Sequence, residues 1–218
     1  MTINKRIPIK VWFLTAIILL LSRAAFAYGD DLCASRDVEI VIDNRVTPEH
    51  LHYDYSKSAD DLLWLAEGKD VDDLFYFLIW YKDLTVDFFP SFSSSQKINN
   101  GCPKRITIAF TVYFPKSMIY VANKYLEGTD GYNRAQQDAN EHARLVIDNT
   151  ANYLNDLKYE LQRFVSGMKL YSPENDNEFT DSKNYIRKRL DAVIYDNIWQ
   201  LLGSLNEILD RFDAERKR

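Results

Sequence analysis

Glycine, histidine and cysteine are all scarce in this chain, and each scarcity removes a class of chemistry. Seven glycines in 218 residues form no G-x-G-x-x-G and no GK[ST], so a phosphate-cradling loop of either common kind is not encoded. Nor does G-x-S-x-G occur, which removes the nucleophile elbow of the α/β-hydrolases. Only three histidines are present, His50, His52 and His142. The two cysteines, Cys33 and Cys102, have no C-x-x-C spacing and so do not read as a redox pair. Basic excess is missing too. The net charge is −5, a sign that repels nucleic-acid phosphates, and no nucleic-acid partner is expected.

A long apolar run is also lacking, and the one run that exists is short. Val11 to Leu21 is nearly all apolar. It follows a start carrying Lys5, Arg6 and Lys10 with no acid, and precedes the small-residue site Ala25-Phe26-Ala27. Positive start, apolar centre and A-x-A end are the anatomy of a cleaved export signal. As a helix the run spans about 16 Å, roughly half a bilayer core, so no transmembrane anchor is expected after cleavage. The expected organisation is a signal peptide over 1–27 and a single domain over 28–218, working in a periplasm or outside the cell. Removing Lys5, Arg6, Lys10 and Arg23 takes the charge from −5 to −9. The lead-in to Cys33, Gly29-Asp30-Asp31-Leu32, lacks the small apolar character of a lipid-attachment site. An oxidising compartment instead favours a Cys33–Cys102 disulfide. Its loop of about 70 residues corresponds to about 4 kcal/mol in the chain-entropy account.

What is plentiful is aromatic and β-branched residues early, and helical periodicity late. Val38–Ile42 reads as a strand and His50–Tyr55 as a second. Ser58 is placed to cap a short helix from Ala59 to about Ala66, with Gly68 beyond its end. Leu74–Tyr81 fits a buried strand, and Ser91–Gly101 an exposed loop. Ile106–Phe114 is the clearest strand, with Pro115 stopping or bending it, and Met118–Ala122 reads as a further extended piece. From about Asn133 to Val165, Ile147, Ala151, Leu154, Leu157, Leu161 and Phe164 recur at three- and four-residue steps. Gly167 ends that helix, 169–180 connects, and Asp181 or Ser182 starts a second. The second stripe is Ile186, Leu190, Val193, Asn197, Leu201, Leu205, Ile208 and Phe212. The fold class read from this is α+β: an N-terminal mixed β section with a short helix (28–130), then a C-terminal antiparallel hairpin of two long amphipathic helices (131–218).

Two local constellations carry candidate chemistry. Asp138 and His142 are four apart on one helix face, the spacing by which zinc hydrolases present two donors. His50 and His52, two apart on a strand, point to one side. If strand and helix meet, the four residues make a zinc site; each pair also has an ordinary structural reading, as a helix-face pair and a half-exposed strand surface.

The order of segments resembles a bacterial exported family of unknown function described as predicted secreted zinc-dependent proteases. His52-Tyr53-Asp54-Tyr55-Ser56-Lys57-Ser58-Ala59-Asp60-Asp61-Leu62 looks like that family's early turn and short helix, and Ile106–Pro115 like its late strand. The helix around Asp138-Ala139-Asn140-Glu141-His142 stands where its His-Glu-x-x-His belongs. The resemblance implies a zinc-binding helix, but Asp138 stands in place of the first histidine and Ala139 in place of the glutamate. Alanine cannot take the proton that the metal-bound water must lose, and Glu141 lies about 200° further round the helix. Two readings follow. The first is an exported, non-enzymatic interaction or structural module with no cofactor and an unidentified protein partner. The alternative is a divergent metal-dependent hydrolase using zinc.

Overall fold

The computed structural model describes residues 37–69, 71–89, 103–125, 127–170 and 176–216. The signal segment, Cys33 and Cys102 lie outside these residues. In chain order the elements are β1 (Asp37–Arg45), a 3-10 turn (Pro48–His50), β2 (His52–Asp54), α1 (Ala59–Leu65), β3 (Asp73–Phe89), β4 (Arg105–Val121), α2 (Asp130–Ser166) and α3 (Asp176–Arg216). The class is mixed α and β: a four-stranded sheet, an early short helix and two long C-terminal helices.

β4 organises the sheet. β3 runs antiparallel to it along its whole length, from Asp73↔Val121 to Phe89↔Arg105. Its other edge is shared by two strands in line, β1 parallel to its first half (Asp37↔Arg105 to Arg45↔Tyr113) and β2 parallel to its end (His52↔Met118 to Asp54↔Tyr120). Alternation makes one face apolar, with Val38 and Ile40, Ile106, Ile108, Phe110 and Val112, and Val86 and Phe88 all buried. Two irregularities shift that phase. At Asp83, left-handed at φ 58°, the register with β4 slips between Lys82 and Thr85. A second slip falls between Leu78 and Trp80, opposite Phe114-Pro115.

Of the two expected outcomes at Pro115, a stop or a bend, the structure corrects the stop. Pro115 sits where pairing is already interrupted, so its missing N–H removes no ladder bond, and one strand continues to Val121. β3 likewise runs on to Phe89, past the expected Tyr81. The expected strand over 50–55 shrinks to His52–Asp54, because Pro48 opens a 3-10 turn that takes up His50.

The long helices cover the apolar face, α2 against β1, β3 and β4, and α3 against β3 and α2. On α2 the buried residues are Ala135, Ala139, Ala143, Val146, Thr150, Leu154, Leu157, Leu161 and Val165. Their steps run four, four, three twice over and then four, four, an 11-residue period close to the helical repeat, so the file stays on one side of the helix. The core file on α3 is Ile186, Leu190, Ile194, Ile198, Leu201 and Leu205. α3 begins at Asp176 rather than at Asp181 or Ser182, which shortens the expected connection.

Candidate functional site

His142 lies between the buried Ala139 and Ala143 on α2 and is itself half-buried. Its Nε2 is 2.7 Å from Oδ1 of Asp213 on α3, and its ring meets the Phe212 ring edge-on at 5.1 Å. Asp138 is one turn earlier on α2 and half-buried. His50 closes the 3-10 turn, where its Nδ1 is 3.0 Å from the Thr47 hydroxyl and its carbonyl accepts from Ser117 Oγ at 2.7 Å. His52 is exposed at the start of β2. Its neighbour Tyr53 reaches α2, donating to Asn140 Oδ1 at 2.6 Å, so alternation turns His52 to the sheet face away from the helices. The four candidate ligands therefore do not converge. Among the described residues no three His, Cys, Asp or Glu side chains are gathered to hold a metal ion, and these residues do not fit a zinc ion.

Tyrosine chemistry joins β2 to α2. Tyr53 stacks on Tyr55 at 6.2 Å and Tyr55 on Tyr132 at 5.6 Å. The hydrogen bond with Tyr55 pushes the Tyr132 hydroxyl up to about 12, and burial raises Tyr53. Tyr81 on β3 is raised by burial and by donating to the Asp191 carboxylate at 2.7 Å. All three phenols are held neutral, and they act as donors and ring surfaces.

The surface feature that sequence reading missed is on α1. Its sequence, ADDLLWL, ends in four consecutive large apolar residues, and a helix cannot turn four neighbours to one side. Leu62 is fully buried. Trp64, two positions and about 200° further round, is 81 % exposed, and Leu63 and Leu65 are each 39 % exposed. Asp60, Leu63, Trp64, Glu67 and Gly68 line a shallow, open depression. The consecutive run was the available signal.

α1 is held firmly at both ends. Ser58 Oγ accepts from the Asp61 N–H at 3.1 Å while the Asp61 carboxylate accepts from the Ser58 N–H at 2.9 Å, a full capping box. The Ser58 bonds lower the Asp61 pKa. At the other end the Gly68 N–H reaches Leu63 O at 2.8 Å and the Glu67 N–H reaches Trp64 O at 3.2 Å, the Schellman pattern. The left-handed position it requires is occupied by Glu67, at φ 54°, and Gly68 follows at φ 86°. A second aromatic group, Trp80, Tyr195 and Trp199, lines the β3–α3 surface with edge contacts of 5.6 and 6.1 Å. Comparison with family models, curated proteins and solved structures found no match.

Proposed function

We propose that this chain is an exported, non-enzymatic interaction module of the bacterial envelope, acting by binding another protein. The observation that carries the reading is Trp64: a large apolar ring held outward on a helix fixed at both ends. Exposed apolar groups of this kind mark contact surfaces, and Trp is enriched among residues that dominate protein–protein binding. The candidate histidines of the alternative hydrolase have structural duties, His142 between the long helices and His50 in its turn.

Export is supported by the leader over 1–27. The Asp37 N–H donates to Lys104 O at 3.0 Å, where β1 and β4 begin side by side. The long helices are read as an antiparallel hairpin, supported by His142 meeting Asp213 while Tyr153, further along α2, donates to Asn197 Oδ1 at 2.9 Å, earlier on α3.

Expression of the full chain in a bacterial host with N-terminal sequencing tests the address: processing to a chain beginning at Tyr28 is expected, and retention of Met1 in the cytoplasm overturns it. Affinity capture with the mature chain tests the occupation. A saturable protein partner at fixed stoichiometry is expected; turnover of protein substrates that responds to zinc and disappears in His142→Ala would replace this reading with the hydrolase.

A further inference from the structure

We infer that the outward face of α1 is a docking site for a basic amphipathic segment of a partner protein, an inference that rests on the interaction reading above. Positions 60, 63 and 64 lie on α1 at the spacing of one helix face, Glu67 stands in the left-handed turn just past its end, and all four line the same depression. Its centre is apolar, Leu63 and Trp64. Its two ends are acidic, Asp60 and Glu67.

Among the described residues no lysine or arginine forms an ion pair with Asp60 or Glu67, whereas the nearby Lys69 is held by Asp210 at 3.1 Å. Asp61 is already engaged by the Ser58 cap. The face is thus an apolar pair between two carboxylates that have no ion pair among the described residues, on a chain of net charge −5. Its complement is a segment carrying Lys or Arg on both sides of a set of apolar side chains. An anionic bilayer would bring phosphate charge against Asp60 and Glu67, and the arrangement opposes that contact.

Trp64 substitution leaves the fold intact to test this, since the side chain lies outside the core. The probe is a synthetic helical peptide of about 14 residues, long enough for four turns, with leucine on one face and lysine on the other; the control replaces every lysine with glutamate. Calorimetric titration of the mature, oxidised chain should show saturable binding of the lysine peptide and none of the glutamate peptide. Trp64→Ala should weaken binding by about ten-fold or more, as for a central aromatic contact. Asp60→Asn with Glu67→Gln should weaken it by about five-fold and flatten its dependence on ionic strength. No binding of the lysine peptide, equal binding by the Trp64→Ala chain, or equal binding of both peptides overturns the site. So does Trp64-dependent binding to phosphatidylglycerol vesicles without peptide binding. If the captured cellular partner binds wild-type and Trp64→Ala chains alike, this site falls while the interaction reading stands; if no partner is captured, the interaction reading itself falls.

Discussion

His142 and Asp213, 71 positions apart in the sequence, meet at 2.7 Å and tie the early part of α2 to the end of α3. Packing of Phe212 on the same imidazole adds an apolar contact to the polar one. His142→Ala and Asp213→Ala should each lower stability by about 1 kcal/mol, the usual net worth of such a bond. In a double-mutant cycle followed by urea unfolding, the two effects should fall short of additive by about 0.5 kcal/mol or more. Strict additivity would show that the contact contributes nothing. Because the imidazole serves a helix contact, added zinc should leave the melting temperature of the wild type unchanged.

Thr150 is fully buried in the α2 file, and its hydroxyl has no partner among the described residues. A buried unsatisfied hydroxyl is costly, so Thr150→Val, which keeps the shape, should raise stability by about 1 kcal/mol. Thr150→Ala leaves a void and should not share the gain. A less stable Val variant would mean that the hydroxyl is engaged after all.

Glu67 occupies a left-handed position that glycine adopts without strain. Glu67→Gly should therefore stabilise the chain by about 1 kcal/mol while weakening the lysine peptide. Opposite movements of melting temperature and affinity would separate the two roles of this residue. A loss of both would place Glu67 in a structural contact instead.

Tyr81 retains its proton to higher pH in the folded chain than in the unfolded chain, through burial and its bond to Asp191. An acid whose folded pKa is raised gives stability that is complete below the unfolded value, about 10 for tyrosine, and is lost as pH rises beyond it. Tyr53, Tyr125, Tyr132 and Tyr153 are shifted the same way. Unfolding above about pH 10 should accompany a late rise of tyrosinate absorbance. Tyr81→Phe, though less stable near neutrality, should lose stability less steeply with alkali; an unchanged slope would remove Tyr81 from that transition.

Elements with strong local signals were readable from the sequence: the Ser58 cap, the β-branched run of β4 and the periodic stretch of α2. What escaped depended on distant partners. Ala135, Ala139 and Ala143 are core residues, but alanine is also an ordinary helix former, so the file seemed to begin at Ile147. Pro115 read as a stop or a bend because the register slip that accommodates it shows only in the pairing of β4 with β3. His50 and His52 read as a pair because nothing local shows that Pro48 turns the chain between them and β1. The α1 face was legible in principle, since Leu62-Leu63-Trp64-Leu65 cannot all be buried by one helix.

β1 finds its place only beside β4, whose paired residues lie 68 positions later (Asp37 against Arg105). Such remote pairing carries the closure entropy of a long loop and makes folding slow. The first strand to be synthesised thus waits for the last, and a nascent chain ending before Arg105 lacks the backbone that organises the sheet. A polypeptide that assembles in this order closes its sheet only after all four strands among the described residues have been made.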